Sequence, residues 1–152
     1  MFQEFLKRQS HVFYLQLWPQ RIKATELHSA QFYDDEPIVA LEIKDEIKTI
    51  KEIGVAARAL DGLTGIVIVN PFYYNGYAFS DVDCAVALIN HAIFAVSEGL
   101  SGKIFAPLII FHPMESSKEG LSADDVDIKK ILSDKCGART VIMMHPDEYL
   151  DL

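Results

Sequence analysis

Pro107 to His112 is an unbroken apolar run ending in a histidine, and it constrains the fold more than any other stretch of the chain. It is too short for a helix and shows no polar alternation, so it reads as a strand buried on both faces. A sheet covered on both sides is typically parallel, and parallel strands need crossover helices. The flanking sequence supplies them. Ser80-Asp81-Val82-Asp83 has the hydroxyl-x-x-acid spacing of a helix start, and the helix is expected to run to about Glu98, with Gly99 as its C-terminal stop. Val82, Ala85, Val86, Ile89, Ile93 and Val96 form its apolar stripe. Ala87, Leu88, Ala92, Phe94 and Ala95 extend that stripe most of the way round, so the helix is expected to be sandwiched or to meet a partner. Ser122-Ala123-Asp124-Asp125 opens a second helix lined by Val126, Ile128, Ile131 and Leu132 and closed by Gly137. Thr140 to Met144 then reads as a last buried strand, stopped by His145-Pro146. Helix, strand, helix, strand gives right-handed crossovers onto one sheet.

The N-terminal half follows a different grammar. His11 to Leu17 and the alternating Arg21 to Leu27 flank Trp18-Pro19-Gln20 and read as a hairpin. Asp34-Asp35-Glu36-Pro37 is a turn signal, and Ile38 to Ile43 is expected to complete an antiparallel meander as its third strand. Residues 44–80 read as a small excursion: a short exposed strand at Ile47 to Ile53, a brief helical piece at Val55 to Leu60, and a β-branched strand at Ile66 to Val69. Asn70-Pro71 ends that strand, and Tyr73 to Phe79, with Asn75-Gly76 inside, follows as an aromatic loop or small hairpin. Met1 to Arg8 spaces its apolar residues as a short amphipathic helix. The expectation is one α/β domain over 1–152, with a mixed sheet of about five strands and flanking helices.

Composition narrows the function classes. The 14 Lys+Arg against 22 Asp+Glu give a formal net charge of -8, and the basic residues do not cluster, which excludes nucleic acid as a default partner. Cys84 and Cys136 form no paired motif, so neither a disulfide scaffold nor a structural zinc site is indicated, in keeping with a reducing cytoplasm. No apolar run approaches the roughly 20 residues that span a bilayer, and the N-terminus lacks the pattern of a signal peptide.

Several matches occur in a fixed order. Glu36-Pro37-Ile38-Val39-Ala40 resembles a Glu-Pro-Ser-Val-Val-Ala stretch, and Glu52-Ile53-Gly54-Val55-Ala56-Ala57 sits where an Ala-Val-Gly precedes a short helix. Asn70-Pro71, Gly76 and Asp81 fall on Arg-Pro-x-x-x-Gly-x-x-x-Asp, and Ile109 to Pro113 on a Val-x-Val-Pro strand end. Cys136-Gly137-Ala138-Arg139, Val141-Ile142 and Pro146 resemble Gly-Ala-Arg-x-Val-x-x-Ile-x-x-Pro. Together these resemble the first half of an actin-like ATPase, its ribonuclease-H-like subdomain, and more narrowly the N-terminal part of the bacterial rod-shape family MreB.

The departures bear on activity. The resemblance implies a phosphate loop Asp-x-Gly-Thr at the first hairpin, where glycine lets backbone N–H groups approach the anion. Here Leu15-Gln16-Leu17-Trp18-Pro19 stands instead, a degenerate loop. After Pro113 the family has Pro-x-Gly-x-Thr-x-x-Glu; here Glu115, Ser117 and Gly120 replace the glycine, threonine and glutamate, with Glu119 one residue out of register. The second subdomain of such proteins, with its share of the nucleotide cleft, has no counterpart in the sequence. The expectation is therefore a non-catalytic MreB-like protein with no cofactor, acting by protein–protein contact in cell-shape or cytoskeletal organisation. Its partner would be a second copy, as a homodimer, or an MreB-like filament.

The interaction candidates are the aromatic loop residues Phe72, Tyr73, Tyr74, Tyr77 and Phe79, with Leu88 and Phe94 on the long helix. Phe2, Phe5, Leu6, Lys7 and Arg8 are candidates for peripheral membrane contact, the apolar residues inserting and the cations meeting anionic headgroups. An alternative of another class is a small-molecule or metal-binding enzyme. His112 and His145 would both reach the sheet edge where open α/β sheets place ligands, beside Glu115 or Glu119. A nuclease would need carboxylates in the central strands, whereas Asp81, Asp83, Asp124, Asp125 and Asp127 sit at helix starts, where the helix dipole favours them.

Overall fold

A computed structural model describes residues 4–6, 11–72, 79–98, 100, 106–115 and 125–150. After a helical turn at Glu4–Leu6, the chain forms β1 (Val12–Trp18), β2 (Arg21–Glu26), β3 (Phe32–Asp35), β4 (Val39–Lys44) and β5 (Ile47–Ile53). A 3-10 helix (Gly54–Leu60) and β6 (Ile66–Val69) follow, then α1 (Val82–Ser97), β7 (Leu108–Pro113), α2 (Asp125–Lys135) and β8 (Thr140–Met143). The strands make two sheets. One has five strands in the order β3-β2-β1-β7-β8, the other three in the order β5-β4-β6. In the larger sheet β1 pairs parallel with β7, and β7 parallel with β8, while β2 and β3 run antiparallel.

The expected meander is present, but its third strand is not Ile38 to Ile43. Phe32–Asp35 takes that place, with Ile22 opposite Asp35 and Thr25 opposite Phe32. Of the residues that read as a turn, Asp34 and Asp35 are alternating strand residues, and the bend falls after them at Glu36 and Pro37. Asp34 faces outward to Arg21, while the Asp35 carboxylate accepts the backbone N–H groups of Glu36 at 2.7 Å and Val55 at 2.9 Å. Val39–Lys44 instead becomes the centre of the small sheet, flanked by β5 and β6, so that unit begins with β4 and not at residue 44.

Burial explains the larger sheet. Every residue of β7 is buried, as its composition requires. Phe13, Leu15, Leu17, Ile22, Ala24, Ile109 and Phe111 share one face with Ala85, Leu88, Ile89 and Ala92 of α1 and Ile128 and Leu132 of α2. Val12, Leu108 and Ile110 face the other side, against Leu6 and Met144. Each buried Leu, Ile or Phe here contributes about 1.5–3 kcal/mol relative to exposure. The helix start read at Ser80-Asp81-Val82-Asp83 is present one residue on: Asp81, extended at φ -140, is the cap, and its carboxylate accepts the Cys84 N–H at 3.0 Å, while the Ser80 hydroxyl donates to the Asn70 carbonyl.

Candidate functional site

The carboxyl ends of β1, β7 and β8 lie along one edge of the five-stranded sheet, the edge where open α/β folds bind ligands. The hairpin between β1 and β2 stands at this edge, and only Pro19 and Gln20 separate the paired residues Trp18 and Arg21. Several of its polar groups are bonded from within the chain. Asn70 Nδ2 donates to the Pro19 carbonyl at 2.8 Å, and the Met114 N–H donates to the Leu17 carbonyl at 2.8 Å. Gln16 Nε2 reaches Met114 Sδ at 3.6 Å. The Arg21 guanidinium lies 4.7 Å from the centre of the Trp18 ring and is clamped by Asp34, with Nε donating to Oδ1 at 2.9 Å and Nη2 to Oδ2 at 2.5 Å.

These residues do not fit a triphosphate. An anion cradle needs converging N–H groups, whereas Pro19 has none and the turn presents carbonyls already bonded to neighbours. The Arg21 cation at the turn is neutralised by Asp34. Leu15 and Leu17 of the degenerate loop point into the core beneath.

The histidine pair is not assembled as expected. His112 is 1% exposed. Its Nε2 donates to the His145 backbone carbonyl at 2.9 Å, and its Nδ1 is 2.5 Å from the Tyr14 hydroxyl. His145 brings its carbonyl to this contact and leaves its side chain exposed, because its main chain turns back through the bond from its own N–H to Glu148 Oε1. Glu115 is exposed, and Glu119 lies outside the described residues. Among the described residues, no group of three His, Cys, Asp or Glu is arranged to hold a metal. Burial pushes the Cys84 thiol up to about 12 and the Cys136 thiol up to about 11, which suits small core residues rather than nucleophiles.

The interaction candidates separate sharply. Leu88 is fully buried against the sheet, so it belongs to the core. Phe79 is buried as well, edge-on to Phe111 at 6.1 Å and to Phe72 at 5.4 Å. The two ends of the aromatic loop thus serve as anchors, and Tyr73, Tyr74 and Tyr77 lie outside the described residues. Phe94 is different: it is 63% exposed on the outer side of α1. The helix is apolar nearly all round but buries only one side, and Phe94 is on the other.

Of the membrane candidates, Leu6 is 3% exposed and packs with Val12, Leu108 and Ile110, so inserting it would remove it from the core. Phe5 is exposed, while Phe2, Lys7 and Arg8 lie outside the described residues. Among the described residues, no helix is long and apolar enough to cross a membrane.

Two polar nodes escaped the sequence reading. The buried Glu26 carboxylate accepts N–H groups from Val12, His28 and Ser29 at 3.1, 3.2 and 2.9 Å. Its signal was an acid at an inward position of an alternating strand. The other is Asp35 against Gly54, where a Cβ on the glycine would lie 2.1 Å from Asp35 Oδ2. Nothing in a linear reading pairs these two.

No protein-family model matches the sequence, and no curated protein matches it. Solved structures do share the architecture. MreB5 of Spiroplasma citri bound to ADP aligns with a TM-score of 0.64 and 20% identity, over 89% of this chain and 38% of that one. A non-polymerising MamK mutant bound to AMPPNP aligns with a TM-score of 0.64 and 12% identity, over 90% of this chain and 41% of that one. A MamK double helical filament aligns with a TM-score of 0.58 and 13% identity, over 87% of this chain and 40% of that one. The fold is that of an actin-like subdomain, and the chain spans less than half the length of the structures it matches.

Proposed function

We propose that this chain works without nucleotide, as a non-catalytic actin-like subdomain whose role is protein–protein contact. The observation that carries the proposal is the hairpin at Trp18 to Arg21, where the donors beside the turn, Asn70 Nδ2, the Met114 N–H and the Arg21 guanidinium, are taken by the Pro19 carbonyl, the Leu17 carbonyl and the Asp34 carboxylate. Phosphoryl transfer relies on positioned phosphate contacts, and a site without them has little left to catalyse with. The contact surface is the outer side of α1 centred on Phe94, and the occupant is a second copy of the chain or a filament of an MreB-like protein. The likeness to a protein solved as a double helical filament supports self-association as the first case to test. Organisation of cell shape or of another cytoskeletal array is the process in which such a contact would act.

Sedimentation of the purified chain across micromolar concentrations tests the contact. A concentration-dependent dimer that Phe94→Ser converts to monomer, with unchanged circular dichroism, is the expected result. A dimer equally strong in the variant places the contact elsewhere. A wild-type chain that stays monomeric and does not co-sediment with MreB-like filaments removes the proposal.

A further inference from the structure

The side of the larger sheet opposite α1 and α2 is covered by a strap, residues 144–150. The Met144 N–H bonds the Phe111 carbonyl at 2.9 Å, and Met144 and Leu150 pack with Leu6, Val12 and Ile110. Beneath the strap lies His112, and the hydrogen bonds fix its tautomer. Nε2 faces a carbonyl, which only accepts, so Nε2 carries the proton in the neutral ring. Nδ1 is then the acceptor for the Tyr14 O–H, and the two rings stack at 5.7 Å. A second proton on Nδ1 displaces that donor and leaves a cation in a site that is 1% exposed.

We propose that His112 is a proton-operated latch: neutral, it pins the strap at 144–150 to the sheet; protonated, it releases the strap and uncovers Ile110 of β7 and Ile142 of β8. The latch does not depend on the contact proposed for Phe94. Among the described residues, the titratable groups facing the ring are few. From β1 comes Tyr14; from the strap come Glu148, whose carboxylate favours the cation, and His145, which offers its carbonyl and keeps its side chain exposed. β8 carries no titratable residue, and Glu4 of the N-terminal turn is exposed. Burial outweighs the opposing pulls of the His145 carbonyl and Glu148 and holds the imidazole below its ordinary 6.5. Whatever conformation admits water to the ring therefore binds the proton better, and opening is favoured as pH falls below 6.5. Lifting the strap removes the His145 carbonyl from Nε2 and opens the ring to water, whereas Tyr14 on the other nitrogen belongs to the central strand β1.

Hydrogen exchange of the Met144 amide, corrected for intrinsic rate, tests the latch between pH 7.5 and 5. Its protection is expected to fall about tenfold per pH unit below 6.5 until the ring's own value is passed, while the Leu15 and Ala24 amides of β1 and β2 keep theirs. His112→Gln keeps a donor for His145 and an acceptor for Tyr14 but cannot titrate, so its Met144 protection should be flat with pH. Tyr14→Phe removes the donor that only the neutral Nδ1 accepts, so protonation under the strap costs less; the onset near 6.5 should stay while the fall levels off at a higher pH and is smaller in total, which keeps the test decisive if the glutamine variant fails to fold. Met144 protection that is flat in the natural chain overturns the latch. So does a loss shared equally by Leu15 and Ala24, which would make His112 a group of global stability only.

Discussion

The two sheets are built to different rules. In the five-stranded sheet β7 is buried along its whole length, and both of its neighbours run parallel to it. In the three-stranded sheet β5 leaves Ile47, Lys48, Thr49, Lys51 and Glu52 exposed, and both β5 and β6 are edges. Its charged residues suit an open edge, since charge discourages pairing with other chains. The large sheet is held by apolar area. The small one rests on the large one through Val39, Leu41, Ile50, Ile53 and Val69, and on one polar joint between Asp35 and the start of the 3-10 helix. Removing area should therefore act globally in the first sheet, whereas disturbing geometry should act locally in the second.

The largest expected effect comes from Phe111→Ala, which should cost about 3–5 kcal/mol in urea denaturation, against less than about 0.5 kcal/mol for Ile47→Ala, a residue 66% exposed. Equal costs would dissolve the contrast. Next is Gly54→Ala. The position has φ +80, and a Cβ there meets the Asp35 carboxylate at 2.1 Å. A loss of about 2 kcal/mol is expected, with amide protection lost in β4, β5 and β6 before β1 and β7. Simultaneous loss in both sheets would show that the joint is not local.

Acid should act on the larger sheet. Burial raises the Glu26 pKa, but the N–H groups of Val12, His28 and Ser29 lower it by more, so the folded value lies below the ordinary 4.5. The carboxylate's stabilisation is then present above about 4.5 and lost as pH falls through the folded value. Thermal melts should show this loss in the natural chain and a smaller one in Glu26→Gln, which is less stable at neutral pH by about 1–2 kcal/mol. The smallest effect is a gain. Asp45 and Glu46 turn β4 into β5 with φ of 52 and 67, a conformation that favours Asn-Gly, so Glu46→Gly should stabilise the chain by about 0.5 kcal/mol.

Much of this contrast was legible in the chain itself. The apolar run of β7, the start of α1 to within a residue and the strands of the small sheet all follow from local pattern. Which sheet a strand joins is not local, and there the reading of Ile38 to Ile43 failed: Pro37 ends one sheet and starts another. Phe32–Asp35 was hidden by acids whose partners, Arg21 and the Val55 N–H, are distant in sequence. At the candidate site the departure of Trp18 and Pro19 from an Asp-x-Gly-Thr pattern was plain, but the contacts of Asn70 and Met114 that close the turn were not. Leu88 and Phe94 looked alike on a helix apolar nearly all round, and only the sheet beneath distinguishes them.

The central proposal is that the hairpin at Trp18 and Pro19 makes contacts with its own chain and none with nucleotide. Titrating the purified protein with ATP and magnesium while following the Trp18 indole resonance tests it directly. The account predicts no saturable shift up to about 1 mM, the range in which binding falls to roughly −4 kcal/mol. A saturable shift at micromolar nucleotide, abolished when Arg21 is replaced by alanine, would contradict it.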